Sequence, residues 1–496
     1  MTDTEYDVVV VGAGNAALCS ALAAQESGAK VLVVERAPEE EAGGNSRYTA
    51  GAIRFAHEGV EDLKSVVDLT DEEIGNADFG TYTEDQYYDD LFRLTQFRSD
   101  PELSEMLVTK SLETVQWMRT KGIKFQPSYG RQAFKVDGKF RFWGGLCVET
   151  WGGGEGLIEL ETKSCGERGI EILYETRAMS LLYDEEKVYG VKVKHKGKTR
   201  DIHAKAVVLA SGGFEANAEM RTRYLGPGWE MAKVRGTRHN QGEGIKMALD
   251  IGAMSFGNWS GCHAVAWDVN APEFGDLTVG DNFQKHSYPL GVMINAEGKR
   301  FVDEGADFRN YTYAKYGREI LNQPGMLCWQ VFDQKVTSML RDEYRIRRVT
   351  KVTANTLEEL VEKMEGVEPK QALKTLNEYN AAVDTKTEFN PAVLDGRGTP
   401  GLEIPKTNWA NTLDEGPYEA YGLGCGITFT FGGLRIDPNT GGVLDTDLQE
   451  IPGLYAAGEL VGGLFYFNYP GGTGLMSGAI FGKLAGGSAG KLAKAG

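Results

Sequence analysis

Tyr6-Asp7-Val8-Val9-Val10-Val11-Gly12-Ala13-Gly14-Asn15-Ala16-Ala17 begins a unit that closes with Val31-Leu32-Val33-Val34-Glu35. The two aliphatic runs suit strands buried on both faces, and the glycine turn between them leads into an alanine-rich helix. Gly12 permits the turn, Gly14 lets the backbone come close to a pyrophosphate, and the small Ala17 lets the helix pack on the strands. The helix start at Asn15 and Ala16 offers free N–H groups and a positive dipole end to phosphate. Glu35 follows Gly14 by 21 residues, where a carboxylate accepts from ribose hydroxyls. An acid there favours a 2′-hydroxyl over a 2′-phosphate, hence FAD or NAD rather than NADP. Arg36 is taken with Glu35 as part of this nucleotide site.

The chain is 496 residues long, more than one ordinary core, and predicts two or more domains or one discontinuous domain with an insertion. A net charge of -18 argues against nucleic acid and anionic membrane as partners, while leaving room for a local cationic pocket. Met1-Thr2-Asp3-Thr4-Glu5 has neither a basic region nor an apolar one, and no run of about 18 apolar residues follows, so a cytoplasmic location is expected. The six cysteines are scattered without a Cys-x-x-Cys pair. No metal, haem or iron-sulfur ligand set is expected from them.

Past Glu35, Gly43-Gly44-Asn45-Ser46 and the following Thr49 and Gly51 form a loop whose amides and hydroxyls suit a second part of the cofactor. Residues 61–122 read as helical scaffold, and 125–156 as aromatic and glycine-rich, either core or pocket wall. A strand-rich block follows, containing Ala178 and ending in Ala206-Val207-Val208-Leu209-Ala210-Ser211-Gly212-Gly213, suited to backbone contact with the nucleotide half of a large cofactor. The middle, 235–417, holds His239, His263, His286 and a long helical tract, Thr356 to Val383. Glycine then returns in Gly458-Glu459 and in Gly471-Gly472-Thr473-Gly474-Leu475-Met476-Ser477, feeding another helix whose N-terminus faces a ligand. Alternating strands and helices in the first half predict a doubly wound α/β domain.

Val8–Glu35, Gly43–Ser46, Ser211–Glu215, Asn295–Glu304 and Ala456–Glu459 resemble the flavoprotein superfamily of fumarate reductases, succinate dehydrogenases and 3-ketosteroid dehydrogenases. Within it, Ser260–Asp268, Asp303–Phe308 and Cys425–Phe431 look most like FAD-dependent tricarballylate dehydrogenases. The resemblance implies a Rossmann-like, discontinuous FAD-binding domain (1–233 and 416–496) with an inserted α+β capping domain (234–415), the substrate lying between them. It also implies a separate electron acceptor, protein or small carrier. The implied chemistry moves two hydrogens across adjacent carbons, one as hydride to flavin and one as a proton through a side chain.

By that resemblance Arg309, five residues beyond Glu304, carries the proton, helped by burial and by nearby carboxylates such as Asp303 or Glu304, and His263 binds substrate, with His239 as a second histidine. Ser46-Arg47-Tyr48 stands where succinate dehydrogenases attach FAD to a histidine, so FAD is expected to be noncovalent. Tyr469 stands where fumarate reductases place a carboxylate-gripping arginine. Tyr469-Pro470-Gly471 instead resembles the ketosteroid dehydrogenase arrangement, in which a tyrosine hydroxyl and a backbone amide polarise a ketone, with Tyr311 or Tyr313 as base. Three expectations stand together: conversion of tricarballylate to cis-aconitate first, ketone desaturation second, fumarate-type reduction third.

Overall fold

In the computed structural model, which describes residues 6–495, the opening unit forms β1 (Tyr6–Val11), α1 (Asn15–Glu26) and β2 (Val31–Val34). The reading of Met1–Glu5 lies outside the described residues. β1 is flanked by parallel partners on both sides, β2 and the strand Lys198–Leu209. Val8, Val9 and Val10 are therefore wholly buried, as an unbroken apolar run requires. Glu171–Leu173 extends the sheet beyond β2, and Glu450–Ala456 extends it beyond Lys198–Leu209, both in parallel. The first half of Lys198–Leu209 leaves this sheet to pair antiparallel with Val188–His195.

The chain's last helix, Thr473–Ala495, lies against α1. Their approach depends on glycine: a Cβ at Gly482 would sit 2.5 Å from the Ala16 carbonyl, and one at Gly486 would sit 2.0 Å from that of Ser20. Four-residue spacing keeps both glycines on one face, so the helices touch backbone to backbone. The Asn15 side-chain amide donates to the Leu475 carbonyl at 2.8 Å, which ties the two helix starts together at the mouth of the nucleotide site.

A second sheet is organised around one long strand, Tyr418–Leu434. Its first half pairs with Cys328–Phe332 and Lys351–Ala354, and its second half with Ser255–Asp268 and Lys233–Val234. The expected boundary at 415/416 falls just before this strand, most of whose partners lie in the middle segment. Pairing returns to the nucleotide sheet only at Gly442–Leu444. The predicted helical tract Thr356 to Val383 is two helices, Leu357–Lys363 and Pro369–Ala382. Gly366, at φ +80°, and the N–H-lacking Pro369 end one and start the other. Among the described residues no helix is long and apolar enough to cross a membrane.

Helix Arg309–Leu321 packs on strand Ser255–Asp268. A Cβ at Gly317 would lie 2.4 Å from the Ala264 carbonyl carbon, so the missing side chain is what lets this helix settle next to His263. Strand Ser255–Asp268 and strand Tyr418–Leu434 meet in register His263↔Phe429 and then Ala264↔Ile427. Thr428 is the extra residue of this bulge, and bulges free and re-aim the residue they insert. Its carbonyl accepts from the Asn45 side chain at 2.5 Å and its hydroxyl from Arg235 Nη1 at 3.2 Å.

Candidate active site

One continuous cleft, with about 1830 Å³ of atom-free space and partly open to solvent, runs from β1 and β2 to the helix Arg309–Leu321. At one end Gly12, Gly14, Asn15, Ala16, Glu35 and Arg36 line it, joined by Gly44, Asn45, Ser46, Thr49, Ala178, Ser211 and Gly212. Gly458, Glu459, Gly474, Leu475 and Ser477 close it from the C-terminal side. Four expected cofactor positions do not line it. Ala17 is fully buried within α1. Gly51 and Gly213 leave room for neighbouring side chains, since a Cβ there would meet Thr150 Oγ1 at 2.1 Å and Glu459 Oε1 at 2.2 Å. Gly43 supplies a turn at φ +115°.

This end fits a dinucleotide. Gly14 precedes α1 without a side-chain cap; the Asn15 amide donates to Ser46 Oγ at 3.2 Å, and the next N–H groups of the first turn are available to phosphate. The Ser211 hydroxyl is buried without a partner, and Glu35 accepts from the Ala37 amide at 2.7 Å while lining the cleft. Burial raises the Glu35 pKa against the pull of the surrounding backbone amides. Farther in, Glu215 accepts from Asn45 at 2.6 Å and Asn240 at 2.5 Å, and Glu459 accepts from the Thr430 amide at 2.8 Å. Burial, and for Glu215 the neighbouring Glu459 carboxylate, raises the pKa of both carboxyls.

At the far end His263, Tyr313, Phe429 and Tyr469 form an aromatic cluster: His263 lies 4.9 Å from the rings of Tyr313 and Tyr469 and 5.2 Å from Phe429. Neither ring nitrogen of His263 has a hydrogen-bond partner. Burial, with help from Arg235, lowers its pKa well below the ordinary value, so it is neutral. The Tyr313 and Tyr469 hydroxyls bond to each other, and burial raises both pKa values. Arg309 opens its helix with Tyr313 one turn on, on the same face. Its guanidinium lies 5.6 Å from the Tyr313 ring and donates to the Arg131 carbonyl at 3.1 Å. Burial lowers the Arg309 pKa, which makes its proton easier to release.

Two expected site residues lie elsewhere. His239 lines the nucleotide end: its Nε2 is 3.0 Å from Glu41, and its carbonyl accepts from Arg36. Tyr311 does not line the cleft; its hydroxyl donates to Asp90 at 2.5 Å and Gly144 at 2.9 Å. Residues two apart on a helix point to different faces, so Tyr311 and Tyr313 cannot both face the cleft. His286, expected as loop or core, is buried 4.9 Å from Tyr313 with both ring nitrogens unpartnered. Sequence reasoning missed Arg131, Arg235 and Asp281, which also line the reacting end. Arg235 pairs with Asp281 at 2.7 Å, and Arg131 reaches it at 3.5 Å. The only hint was an arginine inside the aromatic, glycine-rich stretch 125–156.

Residues 7–475 match the family described as FAD binding domain. The chain belongs to that family: it is an FAD-binding oxidoreductase, and its cofactor is FAD. It is similar to NADH:fumarate oxidoreductase of Klebsiella pneumoniae (strain 342), 28% identical over 99% of this chain, and spans 48% of that protein. It is also similar to 3-oxosteroid 1-dehydrogenase of Mycolicibacterium smegmatis, 26% identical over 98% of this chain and 97% of that protein. The open conformation of a flavocytochrome c3 fumarate reductase superposes with a TM-score of 0.73 at 27% identity, covering 99% of this chain and 79% of that one. The chain thus spans about half the length of the Klebsiella relative.

Proposed function

We propose that the protein is an FAD-dependent dehydrogenase that desaturates a carbon-carbon bond next to a carboxylate, with tricarballylate, converted to cis-aconitate, as its substrate. The carrying observation is the charge at the reacting end, where Arg131, Arg235 and Arg309 line the cleft and the carboxylates beside them among the described residues are Asp281 and Glu343. Such an imbalance is costly in a buried site unless the ligand is an anion. Guanidinium forks match carboxylates in geometry as well as charge.

Bound FAD supplies hydride acceptance; the chain supplies position, charge and the proton path. Arg235, fixed by Asp281 and Thr428, holds a carboxylate. His263, neutral and with free ring nitrogens, hydrogen-bonds it or its neighbour. Arg309, which burial pushes toward its neutral form, receives in that form the substrate proton from the carbon next to the one that loses hydride. Phe429 and the tyrosine pair exclude water. Glu35, Asn15, Ser46, Ser211 and the two helix starts hold FAD noncovalently. In this reading 1–233 and 416–496 bind FAD, 234–415 caps the substrate, and electrons leave to a separate acceptor in the cytoplasm. The same groups serve fumarate-type reduction, in which Arg309 gives the proton.

The bonded hydroxyls of Tyr313 and Tyr469 favour one second reading, desaturation of a ketone, in which Tyr469 and the Thr473 amide polarise the carbonyl and Tyr313 is the base. Anaerobic mixing of the purified flavoprotein with tricarballylate, succinate and a cyclic ketone tests both. Bleaching of the flavin by tricarballylate is expected; bleaching by the ketone alone refutes the carboxylate reading.

A further inference from the structure

Next to Arg309 lies a second and much smaller pocket. Arg309 is the residue common to the linings of both spaces. Arg341 and His286 form the polar part of the second pocket, and Trp143, Phe308 and Trp409 the aromatic part. Trp143 and Phe308 stack at 5.5 Å, and the guanidiniums of Arg309 and Arg341 lie 5.5 and 6.0 Å from the Trp143 ring.

The two arginines are in an unusual position. Both Nη2 groups donate to one backbone oxygen, the carbonyl of Arg131. Asp281 pairs with Arg235 and Arg131, and Glu343 approaches Arg131. Among the described residues no carboxylate comes within ion-pair distance of either Arg309 or Arg341. Buried donors remain without any acceptor: Arg309 Nε, Arg341 Nη1 and Trp143 Nε1, beside the unpartnered ring nitrogens of His286. Glu343 is the carboxylate that acts on both guanidiniums without bonding to either, burial lowers the pKa of each, and the donors left unpaired in the interior are costly.

We propose that this pocket is a second carboxylate subsite, in which Arg309 and Arg341 grip a carboxylate carried on a short apolar arm of the substrate while the reacting bond stays in the cleft. It rests on the carboxylate reading above and adds where a further carboxylate goes. Two oxygens with several lone pairs can satisfy donors from both arginines and from Trp143 at once. The aromatic remainder of the wall, with Met339 and Pro391, suits a hydrocarbon spacer and disfavours a fully hydrated inorganic anion.

Calorimetric titration of the FAD-loaded protein with tricarballylate tests the subsite without turnover. Wild type is expected to bind it, Arg341→Gln to weaken binding by about tenfold or more, and Met339→Trp, which fills the pocket without touching a charge, to weaken it comparably. No binding by wild type, or unchanged affinity in either Arg341→Gln or Met339→Trp, overturns the subsite. If the binding pattern holds but tricarballylate leaves the flavin oxidised, the dehydrogenase reading falls and the subsite stands. If the flavin is bleached and both variants bind as wild type does, the reverse follows.

Discussion

The hydroxyls of Tyr313 and Tyr469, 156 residues apart, share a hydrogen bond, and the His263 ring lies 4.9 Å from each of their rings. In the carboxylate reading this pair shapes the cleft and excludes water. Tyr469→Phe then slows flavin reduction by tricarballylate less than about tenfold. If the pair polarises a ketone, the loss is about 10²–10³-fold, as for an oxyanion donor. Stopped-flow reduction under anaerobic conditions separates the two. Either way Tyr469→Phe leaves the Tyr313 hydroxyl buried without a partner, and unfolding by urea is expected to show a loss of about 1–3 kcal/mol.

Arg309→Ala should keep its flavin, because Arg309 lies at the reacting end of the cleft. Flavin reduction is expected to fall by about 10²–10⁴-fold, the usual worth of a positioned proton carrier. Full-rate reduction in this variant, with the flavin spectrum intact, would remove Arg309 from that role.

Glu35 faces the nucleotide end, where it can accept from ribose hydroxyls. Glu35→Ala should weaken FAD retention about 10–100-fold, matching the loss of roughly 1.5–3 kcal/mol of hydrogen bonding to a charged group. Flavin remaining after dialysis measures this. Acid precipitation of the wild type should release all of its flavin, and yellow colour in the pellet would contradict noncovalent attachment.

Both His263 and His286 are held neutral by burial, with pKa values well below the ordinary figure of about 6.5. The unfolded chain therefore binds more protons than the folded one once the pH drops below that figure. Stability from this source is complete above about pH 6.5 and declines as the pH falls toward the folded values. Denaturant midpoints measured between pH 7 and pH 5 should fall, and His286→Asn should make the fall shallower. An unchanged slope would mean that His286 is not the group responsible.

The nucleotide end was legible because its signals are local. Strand, turn, helix and acid occupy Tyr6 to Glu35, and each does its work through backbone reach and side-chain size. The reacting end was only partly legible. Sequence gives a residue type but not a depth, so His239 was kept as a second candidate behind His263, whereas the structure puts one beside Glu41 and the other among aromatics. Tyr311 and Tyr313 are separated by helical phase, which decides the matter once the helix is known. Arg131, Arg235 and Asp281 meet across loops and strands far apart in the chain, and no spacing rule announces such a meeting. The helix break at Gly366 and Pro369 was readable in principle, since both residues interrupt helices.

The extra residue at Thr428 has a consequence for how the protein tolerates change in length. Side chains on a strand alternate, so one residue gained or lost inverts every face beyond it. Thr428 interrupts the second-sheet strand Tyr418–Leu434 just before the stretch that presents Phe429 to His263 and Thr430 to Glu459. It acts as an indexing notch between two otherwise separate patterns. Insertions near the strand's start, around Tyr418, disturb one sheet edge. A deletion at Thr428 would turn Phe429 away from His263 and detach Arg235 and Asn45 together, loosening the substrate end and the flavin end in a single event.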